Sequence, residues 1–177
     1  MTDSASSAAY GVLTDPTTLT IHRLLPGPIE RVWAYLTQSD LRRQWLAAGS
    51  MEMAAGTSFE FAWRNEELSD PPSQRPDGFA QEQRMTCRIV EVDPPRRLVI
   101  TWQGSGDVAF DLQPRGDAVM LTVIHARLPD RKTLLKVGAG WHMHLDLLAA
   151  CATGGRRQPF WEGWSRLQQE YDRRLPA

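Results

Sequence analysis

Four histidines and two cysteines are the side chains of this 177-residue chain best suited to moving a proton or attacking an electrophile. His125 closes an alternating run with Val119, Leu121 and Val123 and shares their parity, so it faces the interior of the sheet that run belongs to. A histidine there can orient a ligand or act as acid or base near neutral pH. It can equally sit neutral, satisfied by one internal hydrogen bond. His144, in a later helical stretch, is placed to approach the same interior. His142 and His144 are two apart on a helix and so project about 200° from one another. They cannot join His125 around one ion without unwinding the helix, and no metal site is expected. Cys87 shares the inward face of its strand with Met85. A buried thiol is usually a small hydrophobe, and a nucleophile would need a nearby base and a lowered pKa.

Other catalytic signatures are missing. There is no Ser-His-Asp context and no zinc spacing. Gly104-Ser105-Gly106 is not followed by a helix, so it reads as a hairpin turn rather than a phosphate cradle. Glu60, Glu91 and Asp111 all fall on the polar parity of their strands, which leaves no inward carboxylate pair. His125 is therefore the one catalytic candidate, and no cofactor is expected.

The elements that position these residues follow from periodicity. Thr17 to Leu25 alternates as a half-buried strand and is broken by Pro26-Gly27-Pro28. Ile29, Val32, Trp33 and Leu36 then recur at helical spacing, and Ser39-Asp40 opens a second short helix carrying Leu41, Trp45 and Leu46 up to Gly49. The period then changes to two. Phe59, Phe61 and Trp63 share one face, followed by Met85, Cys87 and Ile89, then Leu98, Ile100 and Trp102. Val108, Phe110 and Leu112 alternate next, and the run ending at His125 is last. Short Gly, Pro and Asp turns join the later strands into an antiparallel meander. Between the first two of these strands, Arg64 to Phe79 reads as a mobile loop and a possible lid. After Pro129, Trp141, Leu145, Leu148 and Ala152 mark a long helix that Gly154-Gly155 ends. A terminal helix carries Phe160, Trp161, Trp164, Leu167 and Tyr171. Its aromatic stripe packs on the domain's own outer surface or forms a homodimer interface.

Composition limits the partners. Lys plus Arg number 20 against 21 Asp plus Glu, so no basic footprint for nucleic acid or an anionic membrane exists. No apolar stretch is long enough to span a bilayer. Two cysteines without a disulfide framework, and an N-terminus that makes a poor signal peptide, predict a cytoplasmic protein. Residues 1–14 read as a disordered lead-in and 15–177 as a single domain, with 156–177 a helical extension.

Local motifs resemble a known family. Pro28-Ile29-Glu30-Arg31-Val32-Trp33, Arg43-Gln44-Trp45, the stretch from Val92-Asp93-Pro94-Pro95 to Trp102, Leu121 to His125 with Leu128-Pro129, and Gly140-Trp141 with Leu145 and Leu148 occur in the order of the activator of heat-shock protein 90 ATPase homologues. The chain is thus identified as a stand-alone member of that family, within the START-like, SRPBCC superfamily, over about Thr17 to Gly154. The resemblance implies an α+β helix-grip fold, a curved antiparallel sheet wrapped around the long helix with an extra terminal helix added. It further implies a cavity between sheet and helix for a hydrophobic or aromatic small molecule. The residues expected to line it are Phe59, Phe61, Trp63, Met85, Cys87, Trp102, Phe110, Leu121, His125, Trp141, His144, Leu145 and Leu148. Three functions are compatible with this: a non-catalytic binding protein, a polyketide cyclase- or dehydratase-like enzyme using His125, and a protein-interaction or co-chaperone-like module.

Overall fold

The computed structural model describes residues 9–69 and 71–176. Seven strands form one antiparallel curved sheet: β1 (Val12–Asp15), β2 (Thr18–Pro26), β3 (Ser58–Trp63), β4 (Gln83–Asp93), β5 (Arg97–Thr101), β6 (Asp107–Arg115) and β7 (Ala118–Ala126). Their order is β1-β2-β7-β6-β5-β4-β3. The five later strands are thus a plain meander, and β2 closes onto its last member. Two short helices, α1 (Ile29–Thr37) and α2 (Ser39–Arg42), carry the chain from β2 across to β3 at the far edge. Two further helices follow the sheet, α3 (Arg131–Thr153) and α4 (Phe160–Arg174).

Alternation in sequence becomes burial in space. Val119, Leu121, Val123 and His125 of β7 are all buried, and the residues between them are only partly so. Register then stacks the inward side chains across strands: Val123 opposite Phe110, Phe110 opposite Leu98, and Phe59 opposite Cys87. The carboxylates Glu60, Glu91 and Asp111 pair outward with arginines. Arg84 binds Glu60 at 2.6 Å, and Arg97 binds Glu91 at 3.2 Å and Asp111 at 2.6 Å.

The long helix has sharp ends. Asp130 caps it by accepting the Thr133 N–H at 2.7 Å, and Gly154 ends it at φ 71°, a left-handed conformation that costs glycine nothing. Gly49 is fixed for a different reason. With φ at 140°, a Cβ there would stand 2.0 Å from the Glu60 carbonyl oxygen. Beside it the Arg42 guanidinium is almost fully buried and donates to the carbonyls of Leu36, Thr37, Ala47 and Gly49. This arginine thereby ties the α1–α2 corner to the entry of β3. Trp45 and Leu46 lie in the turn after α2 rather than within a longer helix.

Two expectations need correcting. The lead-in of residues 1–14 is not uniformly unstructured. Residues 1–8 lie outside the described residues, but Val12–Asp15 pairs with β2, and the Gly11 N–H donates to the Tyr171 hydroxyl at 2.8 Å. The hairpin is held by an Asp15 turn that accepts from the Thr17 N–H at 2.9 Å, a four-residue strand too short to show a period. The segment after β3 is likewise not a bare mobile loop. Asn65–Leu68 makes a 3-10 turn whose Leu68 is buried, and the Gln74 N–H donates to Glu162 of α4 at 3.0 Å. Phe79 stacks between Trp161 and Trp164 of α4, with ring centroids 4.8 and 5.5 Å away. No helix among the described residues is long and apolar enough to cross a membrane.

Candidate functional site

A cleft of about 370 Å³ opens where the β3–β4 edge of the sheet, the β5–β6 turn, α3 and α4 meet. Five of the seven tryptophans contribute to its wall: Trp63, Trp102, Trp141, Trp161 and Trp164. On the sheet side, Trp63 and Trp102 meet edge-to-face at 5.6 Å, and Trp102 lies 5.3 Å from Trp141 of α3. On the helix side, Phe160, Trp161 and Trp164 form a second aromatic run with neighbouring centroids 5.0 and 5.4 Å apart. Met85, Leu46 and Val137 fill gaps between them, and Gly140 leaves a notch in α3 where an added Cβ would meet no atom within 4 Å. The cleft is therefore mostly apolar and aromatic, with Asn65, Gln83, Arg84, Gln103, Lys136 and His144 as its polar members.

Of the residues expected to line the cavity, Trp63, Met85, Trp102, Trp141 and His144 do so. Phe59, Phe61, Cys87, Phe110, Leu121, Leu145 and Leu148 lie in the packed core instead. The reason is geometric. The parity of a strand tells which residues face inward, not whether helix α3 or an open cleft lies over them. Phe110, for instance, packs directly on Trp141 with centroids 5.6 Å apart.

His125 is also placed outside the wall. Its Nε2–H donates to the Ser105 carbonyl at 2.6 Å, and its Nδ1 accepts the Trp141 indole N–H at 3.1 Å. The carbonyl can only accept and the indole can only donate, so the tautomer is fixed and neither nitrogen is free for a substrate. Burial pushes the imidazole pKa down to about 4, keeping it neutral as this pair of bonds requires. The proposed acid or base is thus a strut holding Trp141 against the cleft. Burial likewise pushes the Cys87 thiol up to about 12, the direction that disfavours a thiolate.

His144 is different. Its Nδ1 is 2.8 Å from the Trp45 carbonyl, and its ring lies 4.7 Å from Phe160. His142, on the opposite side of α3, bonds the Tyr171 hydroxyl at 3.0 Å, so the two histidines serve separate neighbourhoods. Among the described residues no cluster of three His, Cys, Asp or Glu side chains could hold a metal ion. Two further wall residues carry buried polar atoms without a hydrogen-bond partner, the Trp161 Nε1 and the Asn65 Oδ1. Each such orphan costs about 1–3 kcal/mol, and both atoms are covered by protein, so neither is open to an occupant of the cleft.

Phe79, Phe160, Trp161, Trp164, Gly140 and Asn65 were not expected in the site. The stripe on α4 announced burial at helical spacing, but nothing in its pattern distinguished the domain's outer surface from a cleft wall.

Fold and cleft together define a START-like, helix-grip protein of the SRPBCC superfamily. Residues 26–153 match the family described as Activator of Hsp90 ATPase homolog 1-like protein, and the chain belongs to that family. Among solved structures it is similar to the Bordetella parapertussis protein encoded by gene BPP1335, at 36% identity and TM-score 0.79 over 96% of this chain and 92% of the other. CalU16 from Micromonospora echinospora follows at 25% identity and TM-score 0.63, covering 94% and 92%. The Enterococcus faecalis protein EF2215, at 20% identity and TM-score 0.67, covers 93% and 88% and shares the fold. No curated protein matches the sequence significantly.

Proposed function

We propose that the protein holds a hydrophobic, aromatic small molecule in the cleft between the β3–β4 edge and helices α3 and α4, without transforming it. The observation that carries this reading is the concentration of five tryptophans around a space large enough for a fused-ring skeleton. A core built for stability alone would close that space, because protein interiors pack to near-crystalline density. The family's resemblance to hydrophobic-ligand binders supports the same reading. A holder fits the wall better than a catalyst does. The wall has no carboxylate or thiol, and His144, pushed down to about 4, is a weak base.

The test uses 2-methoxynaphthalene, an aromatic probe without a hydrogen to donate, and the variant Gly140→Phe. Position 140 is helical and open above its Cβ, so a phenyl ring there enters the cleft while the helix gains propensity. Calorimetry is expected to show saturable one-to-one binding to the native protein and none to Gly140→Phe, with unchanged circular dichroism. Binding indifferent to the plug, or absence of saturable binding by both this ether and the matching alcohol 2-naphthol, would refute the proposal.

A further inference from the structure

The polar groups of the cleft specify more than an apolar occupant. The Trp45 carbonyl can only accept, so Nδ1 of His144, 2.8 Å away, must carry the ring proton. Burial keeps that ring neutral, which leaves Nε2 as a lone-pair acceptor. Among the described residues Nε2 has no hydrogen-bond partner, although His144 is a wall residue. A ligand group that donates a hydrogen is therefore the complement this site is missing.

The charge around the cleft narrows the donor. Aromatic faces attract cations, so an ammonium group is the obvious rival. Yet no Asp or Glu belongs to the wall. Its two formal charges are both positive: Arg84, held by Glu60 and Glu82, and Lys136, which makes no ion pair among the described residues. A buried cation would face them without a counter-charge. The donor that remains is an uncharged one, and a hydroxyl is its simplest form.

We infer that the ligand is an aromatic alcohol whose hydroxyl donates to Nε2 of His144 while its ring skeleton lies among the tryptophans. This rests on the cleft being a binding site, as proposed above.

Calorimetric titrations with 2-naphthol and 2-methoxynaphthalene, which share one ring skeleton and differ in having a hydrogen to donate, test it. The same pair is run on His144→Asn, whose amide N–H can still serve the Trp45 carbonyl while the acceptor at Nε2 is gone. The native protein's preference for 2-naphthol is expected to fall about 3- to 10-fold in the variant, the range of one net hydrogen bond. In the native protein the 15N resonance of the His144 Nε2 is also expected to move with 2-naphthol and not with the ether, a readout independent of whether the variant folds. An equal preference in both proteins, an unmoved Nε2, or tighter binding of 2-naphthylmethylammonium, which shares the ring skeleton and carries a charged N–H donor, than of 2-naphthol overturns the assignment while leaving the cleft as a site. If neither naphthalene binds the native protein, the binding function falls and this inference with it.

Discussion

The imidazole of His125 joins the Ser105 carbonyl to the Trp141 indole, and both bonds exist only while the ring is neutral and in one tautomer. Replacing it with alanine leaves a void and strands the indole N–H in the core. Taken together, a deleted core side chain and an orphaned donor predict that His125→Ala loses about 2–5 kcal/mol of stability. Urea denaturation measures this, and a loss below about 0.5 kcal/mol, within the range of neutral surface changes, would show that the strut carries nothing. The parity of Val119, Leu121 and Val123 reveals that His125 points inward. What it cannot reveal is the partner on either side, because Ser105 and Trp141 come from other elements 20 and 16 residues away. The same limit applies to Arg42. Its side chain is buried among carbonyls, yet in sequence it is one of three consecutive or near-consecutive basic and polar residues with nothing to mark it.

At the scale of elements, the strands were legible because their period of two is also their burial pattern. The meander of β3 to β7 and the long helix are read almost directly from Phe59-x-Phe61-x-Trp63 and its successors. The cleft was only half legible. Trp63, Met85 and Trp102 follow from inward parity, and Trp141 and His144 from their place on the long helix, combined with the family's expected cavity. The other half of the wall comes from α4 and from Phe79, beyond and between the patterned segments. A helical aromatic stripe such as Phe160, Trp161 and Trp164 states that one face is covered, not what covers it. The fact that Phe79 inserts against Trp161 at 4.8 Å depends on how the long segment after β3 folds back, which no local pattern encodes. The matched family region stops at residue 153, so α4, which starts at Phe160, supplies a wall that the family pattern does not describe.

At the scale of the whole molecule, three buried histidines make stability depend on pH. Burial pushes His125, His142 and His144 each down to about 4 in the fold. An unfolded histidine titrates at about 6.5, so between about pH 6.5 and about pH 4 the unfolded chain binds more protons than the native one. Their contribution is complete above about 6.5 and is lost as the pH falls toward about 4. The melting temperature is therefore expected to hold level near neutrality and to drop steadily on acidification from about pH 6.5 to about pH 4.5. A level melting temperature across that interval would mean that these rings are more solvated than the structure shows.

The central claim, that an aromatic ligand is held among five tryptophans at one end of the sheet, is tested most directly by the indole N–H signals in a 1H–15N spectrum. All seven tryptophans report at once, and Trp33 and Trp45 take no part in the wall. On titration with 2-naphthol, the indoles of Trp63, Trp102, Trp141, Trp161 and Trp164 are predicted to shift together along one saturable curve while that of Trp33 stays in place. Saturable shifts centred on Trp33, or no shift among the five, would contradict the claim.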